Sequence, residues 1–533
     1  MSITSLSFVI FFGIVLIVYY LIPRKLQWVL LLISSVFFYC YSGWQYFIYV
    51  LITASTVFFA SKAITDINIR QKAFLKENKG ILSKEEKSKY KVRNKRKRKA
   101  VFLTALLVNL GILCYFKYNH FFLEQINGVL SWYRIEPIKD TFSIILPLGI
   151  SFYTFQAIGY LLDIYWDTFE PETNFLKFLL FISFFPQMTQ GPISEFSQLS
   201  KELFKPHAFV YKNFSWGFQR MIWGFFKKMI IADTLSPWVN TLFQNYNSYS
   251  GVSLFFGTVV YGIQLYADFS GYMDIMCGLC EIMGIRLAEN FDRPYFSRSI
   301  AEFWRRWHIT MGAWFKKCVY YPVAISKGCR NLTKATSKFG KHFSESVSAT
   351  IALTITWLAT GIWHGAGWQF VVWGLVNGFF LILHVWLKPI YASVKGTLKI
   401  RDTNKLWIGF QIIRTFTLVS LIEIIPEVGD LANGLQYIGR IFTNISLPRN
   451  LNELFPYVDL SITVYKINLL FAILGIIMMF VISVVQHKNS FRFYLNKLPK
   501  VIRIILLSII IIVIASFGVQ SSWGSGGFLY AQF

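Results

Sequence analysis

Long apolar runs recur along the chain, and polar residues gather in the short stretches between them. Leu6–Ile22, Leu26–Tyr41, Tyr46–Ala60 and Val101–Phe116 open the series. Val347–Leu358, Phe370–Leu387, Trp407–Ile425, Ile467–Val485 and Val501–Phe517 complete it. Several reach the ~17–20 residues that carry a helix across hydrocarbon. Shorter ones span by tilting or by thinning the bilayer. With further segments between Thr141 and Val323, the pattern predicts about ten to twelve membrane-embedded helices. The runs are continuous and do not alternate with period two, which argues against a β-barrel. The expected fold is an all-α polytopic membrane protein. The first run lacks a basic leader and is followed by Pro23-Arg24-Lys25, so it reads as a retained helix and not a cleaved signal.

The middle of the chain, 141–367, breaks this regularity. Its apolar stretches are interrupted, as in Phe184-Phe185-Pro186-Gln187-Met188-Thr189-Gln190-Gly191-Pro192 and Ala267-Asp268-Phe269-Ser270-Gly271-Tyr272. Irregular backbone at membrane depth survives only where protein or water satisfies its polar groups. The expectation is a single membrane domain over 1–533, with 141–367 as its catalytic core and re-entrant segments within it.

Composition agrees with lipid as the main solvent: 55% of residues are hydrophobic and 15% charged, against about a quarter charged in a soluble domain. The formal net charge of +26 invites a nucleic-acid reading, but no recognition module accompanies it. Position gives it another meaning. Arg70–Lys99 holds fourteen Lys/Arg against three Glu and sits directly before an apolar run. It reads as a basic cytoplasmic loop (62–100) under the positive-inside rule, apposed to anionic lipid headgroups. Arg24-Lys25, Lys388–Lys405 and Lys488–Arg503 fit the same side. Both chain ends then lie outside, as does the loop 426–460 with four acidic and two basic residues.

Six cysteines suggest no disulfide framework. Cys277 and Cys280 have C-x-x-C spacing, but no second pair or nearby histidine makes a zinc site, so they read as packing residues and no metal is expected. Two histidines stand out. His308 lies in Phe303-Trp304-Arg305-Arg306-Trp307-His308, and on a continuous helix it would share a face with Arg305 and Gly312. His364 lies in Trp363-His364-Gly365, between two apolar stretches, where glycines permit a turn and close approach. A neutral imidazole in low dielectric suits a general base for a hydroxyl nucleophile; the competing reading is a histidine bonded between helices. Asp268 and Asp274 are either salt-bridged, with Arg286 or Arg293 as partner, or part of a site. Arg305, Arg306, Lys316 and Lys317 read equally as a cytoplasmic flank and as a holder for a phosphate-rich donor.

The ordered set of motifs resembles the membrane-bound O-acyltransferase family, in particular its alginate O-acetylase-like bacterial branch. It comprises Pro147–Gln156, Phe185-Pro186-Gln187 with Gly191-Pro192, and Asp268-Phe269-Ser270-Gly271-Tyr272 with Asp274. It continues through Glu289–Tyr295, Phe303–His308, Trp363–Gly365 and the end Phe528–Phe533. The resemblance implies a ring of helices around a tunnel in a bacterial plasma membrane. His364 would match the active-site histidine and His308 the second histidine of the tunnel. Arg305, Arg306, Lys316, Lys317, Asp268 and Trp363 are candidates for donor or substrate contact. It also implies acetyl-CoA as a cytoplasmic thioester donor, with no bound cofactor. The acceptor would be an exported polysaccharide, reached directly or through a separate extracytoplasmic transferase. One departure is local: after Trp407–Ile425 a Phe-Arg pair is usual, and here the chain reads Glu423-Ile424-Ile425-Pro426-Glu427. Three other functions compete: D-alanyl transfer to teichoic acid, a polysaccharide export component without chemistry, and a structural assembly protein.

Overall fold

The structure is a computed structural model that describes residues 1–139, 146–448, 454, 463–487 and 490–519. The C-terminal motif at 528–533, and most of 449–462 within the expected external loop, lie outside the described residues. Among the described residues the chain is all-α, with an isolated antiparallel bridge between Phe291 and Trp307. Eight helices among them are long and apolar enough to cross a membrane. The chain is a multi-pass integral membrane protein. It packs as two units, one of Ser5–Val210 with Met283–Leu287, the other of Tyr211–Ile282 with the chain from Ala288 on.

The first unit begins with α1 (Leu6–Leu21), α2 (Gln27–Gly43), α3 (Phe47–Glu77), α4 (Lys84–Trp132) and α5 (Ile150–Tyr165). The basic stretch is not a loop. It is a helical hairpin, in which α3 and the 49-residue α4 run through the charges and turn at 78–83. Lys, Arg and Glu are good helix formers, so charge ends the membrane span without ending the helix. A capping box starts α4: Glu86 N–H donates to Ser83 Oγ at 3.2 Å, and Ser83 N–H donates to Glu86 at 2.9 Å.

The second unit holds α6 (Tyr211–Phe226), α7 (Asp233–Gln244) and α8 (Gly251–Ile282), the last largely buried. α6 and α8 pack with their backbones almost touching. A Cβ on Gly217 would lie 2.4 Å from the Gly278 carbonyl oxygen, and one on Gly224 2.7 Å from that of Gly271. Small residues at such crossings substitute close van der Waals contact for a hydrophobic drive that lipid does not supply. Next come α9 (Ile300–Arg306), α10 (Ile309–Phe315), α11 (Lys327–Thr336), α12 (Lys341–His364), α13 (Trp368–Thr397) and α14 (Lys405–Glu423). The expected external loop carries a helix of its own, α15 (Leu431–Thr443), followed by α16 (Thr463–Val485) and α17 (Lys500–Phe517).

Candidate active site

Both candidate histidines stand where helices break, for different local reasons. A continuous helix through Arg305, His308 and Gly312, on which the three would share a face, does not form. α9 stops at Arg306, and His308 adopts φ 45°, the left-handed region, as the residue before α10. Such a conformation is costly for a side chain with a Cβ and persists only where its surroundings impose it. The Glu289–Tyr295 segment does so. Asp292 N–H donates to the Arg306 carbonyl, and Ile309 N–H donates to the Asn290 carbonyl, both at 3.0 Å. The Asn290 side-chain oxygen accepts from the Thr310 N–H at 3.0 Å and from its hydroxyl at 2.7 Å. His308 is fully buried and lies outside the spanning helices. Burial pushes its imidazole down to about 3, so the ring is neutral at any physiological pH.

His364 ends α12, and 365–367 turn the chain into α13. The turn needs its glycine: a Cβ on Gly365 would lie 2.1 Å from the Phe370 ring. Below it α12 and α13 touch backbone to backbone, with a Cβ on Gly361 meeting the Phe370 carbonyl at 2.4 Å. This hairpin fixes His364 against Trp373, ring centroids 4.6 Å apart, and against Trp363 at 5.0 Å. Trp363 also contacts His308 at 6.3 Å, and Phe269 of α8 meets His308 edge-on at 5.0 Å. The structure therefore brings His308, Trp363 and His364 into one aromatic cluster.

Asp268 takes part in a buried group of ion pairs. It pairs at 2.7 Å with Lys228, which also holds Asp233 at 2.8 Å, and all three are buried. Asp274 takes Lys227 at 2.7 Å and Arg220 at 2.8 Å. Arg286 and Arg293, the expected partners, are not the ones used. Both lysines open a π-helical stretch, Lys227–Ala232, and both reach α8. Asp268 thus has the salt-bridged role, one neighbour away from Phe269 and the histidine it touches.

The four basic candidates flank the His308 hairpin in the chain but do not converge. Arg306 is held by Glu302 at 2.7 Å, and Arg305 stands exposed. Lys316 is also exposed, its ammonium 5.6 Å from the Tyr321 ring, and Lys317 is half-buried. A cavity of about 380 Å³ lies instead against Arg220, Lys227, Asp274, Glu289 and Arg492. Its cations already have carboxylate partners: Arg220 binds Glu289 as well as Asp274, and Arg492 binds Glu281 at 2.6 Å. Its inner wall includes Asn290, Phe291 and Tyr266, and Phe291 packs on Phe269, centroids 5.0 Å apart.

Two residues outside the candidate set reach the site. A small cavity of about 20 Å³ is lined by His364 together with Glu423 and Glu427. Trp373 turns its indole N–H toward the Glu423 carboxyl, and Tyr261 its hydroxyl toward that of Glu427. The signal in the sequence was a pair of acids at i and i+4 closing a long apolar run. It reads as an ordinary polar boundary until α14 is seen to end beside His364.

Residues 168–420 match the sequence model of the membrane-bound O-acyltransferase family. A probable alginate O-acetylase of Azotobacter vinelandii is 35% identical over 278 residues, 52% of each chain. A peptidoglycan O-acetyltransferase of Helicobacter pylori is 33% identical over 53% of this chain and 54% of its own. A teichoic acid D-alanyltransferase of Streptococcus thermophilus is 28% identical over 57% of this chain and 73% of its own. The match spans about half the length of the alginate and peptidoglycan relatives. Both histidines fall inside the matched segment. Glu423 and Glu427 fall just beyond it.

Proposed function

We propose that this chain, which belongs to the membrane-bound O-acyltransferase family, passes an acyl group from a cytoplasmic thioester to a hydroxyl of a cell-surface polysaccharide in a bacterial plasma membrane. The single observation that carries this reading is the His308–Trp363–His364 cluster: two buried imidazoles sharing one indole, inside the segment matched by the family. The alginate and peptidoglycan relatives support acetyl as the group and a polysaccharide as the acceptor.

In the proposed reaction His364 takes the proton of the acceptor hydroxyl as its oxygen bonds to the acyl carbon. The carbon–sulfur bond then breaks, and the imidazolium returns the proton to the leaving thiolate. His308, neutral and fully buried, donates a hydrogen bond to the carbonyl oxygen as negative charge develops there. Such a donor is worth ~3–4 kcal/mol of barrier. Trp363 holds the two rings apart and keeps water from the thioester. Acetyl-CoA is the proposed donor; of the four basic candidates, the exposed Arg305 and Lys316 are the ones open to its phosphates, each at a separate point. Residues 141–367 serve as the catalytic core. Asp268 contributes by fixing α8 and not by touching substrate. An extracytoplasmic transferase that relays the acetyl group fits an acceptor too large to enter the membrane.

The D-alanyltransferase relative, covered over most of its length, favours a second reading in which the acyl group is D-alanyl and the acceptor teichoic acid. One experiment separates them. Ester-linked acetate and ester-linked D-alanine are measured on surface polymers of cells carrying wild type or His364→Ala at matched membrane levels. Loss of acetate in the variant with polymer export intact supports acetyl transfer. Loss of D-alanine supports the second reading. No change in either ester ends the assignment of His364 as base.

A further inference from the structure

Two carboxyl groups share a cavity with His364, and the reaction proposed above does not use them. Glu423 is the last residue of α14, and Glu427 follows Pro426 one turn on. The cavity of about 20 Å³ is large enough for one water and for little else. The rest of its wall is Leu265, Trp304, Trp307, Phe370, Trp373 and Pro426. None of these carries charge, so the imidazole and the two carboxyls are the ionisable groups lining it. Beyond the wall, the titratable neighbours are Tyr261 of α8, turned toward Glu427, and Tyr295, which lies toward Glu423. Among the described residues no cation lines the cavity to neutralise either acid.

We infer that Glu423 and Glu427 are positioning residues for His364: through the cavity the three side chains share they orient its ring and raise its basicity, and the acceptor hydroxyl reacts from that same space. The inference rests on His364 being the base. Its physical grounds are threefold. A carboxylate within about 4–6 Å favours the protonated imidazole, by roughly 1–3 pH units. A half-buried carboxyl without a cation draws hydrogen-bond donors; Trp373 and Tyr261 each offer one, and an imidazole N–H or a hydroxyl can supply another. Burial also pushes the Glu427 carboxyl up to about 7, which brings its titration into the range of an imidazole.

The test reads the imidazole directly and needs neither donor nor acceptor. Purified full-length protein is treated with diethyl pyrocarbonate, which modifies neutral imidazole, and modification of His364 is followed by mass spectrometry against pH. Wild type is compared with Glu423→Gln, Glu427→Gln and the double variant. Loss of the carboxylates lowers the imidazole pKa, so the midpoint is expected to move to lower pH by about one unit in the double variant. Glu427→Asp, which keeps the charge, is expected to recover part of it. A purely structural role would lower the melting temperature and leave the midpoint alone. An unchanged midpoint in both the double variant and Glu427→Asp, with melting temperatures near wild type, overturns the inference. Acyl transfer that survives in His364→Ala would instead overturn the reaction assignment, and the midpoint would still decide whether the carboxyls act on the ring.

Discussion

His308 and His364 differ in what their surroundings let them do, and that difference is measurable in a pH profile. His308 is sealed by Phe269, Trp363 and its own hairpin, with its imidazole pushed down to about 3. It stays neutral from pH 5 to 9 and cannot produce a titration there. The acid limb of the rate profile therefore belongs to the His364 cavity, where the neutral base is lost as pH falls. His308→Ala is expected to lower the turnover of acyl transfer by about 10²–10³-fold, as for the loss of one oxyanion donor. The acid limb should stay where it is in wild type. A shifted limb in His308→Ala would mean that this ring, and not His364, carries the titrating proton. Both histidines were legible in the sequence, because Trp-His-Gly between apolar runs and Arg-Arg-Trp-His are unusual strings for a membrane protein. Glu423 and Glu427 were quoted only as a local departure. Nothing within ten residues of them carries a histidine, and their proximity to His364 arises only when α14 folds back on the α12–α13 hairpin.

Helices were predicted well where one physical rule governed them and poorly where two competed. The apolar spans formed as expected, since a lipid environment leaves a backbone little choice but helix. A continuous helix would have put His308 on one face with Arg305 and Gly312, yet the bonds from Asn290 and Asp292 outweigh helical propensity there and force the break. The π-helical stretch at Lys227–Ala232 had no sequence signature at all. Lys228 in that stretch holds a buried group, pairing with Asp268 of α8 and with Asp233 at the start of α7. Lys228→Met would leave two carboxylates buried without their cation. Removal of one partner from a buried pair typically costs ~3–5 kcal/mol. The expected outcome is a marked drop in melting temperature in detergent. The triple variant Lys228→Met, Asp233→Leu, Asp268→Leu should recover much of it, since apolar replacement of the whole group is often near neutral. A Lys228→Met protein as stable as wild type would show that water reaches these carboxylates.

On the scale of the molecule, the proposed chemistry requires that His364 and the two glutamates open to the outside and the basic flank to the cytoplasm. The second unit supplies a consistent path. α12 ends at His364, α13 returns from Trp368 to Thr397, and α14 leads back to Glu423. The turn between α13 and α14 lies in the basic stretch Lys388–Lys405, which the positive-inside rule assigns to the cytoplasm. α12 and α14 must then both finish at the outer side, with α15 beyond them. Single cysteines test this once the six native ones are replaced by serine. A cysteine at Thr403 is expected to react with a membrane-impermeant maleimide only after the membrane is opened, and one at Ala432 in intact cells. Both positions are exposed, so silence at either would not come from burial. The reverse pattern would put the glutamates on the donor side. The acceptor hydroxyl would then have to cross the bilayer to reach the base, and the direction of transfer argued here would fail even with both histidines essential.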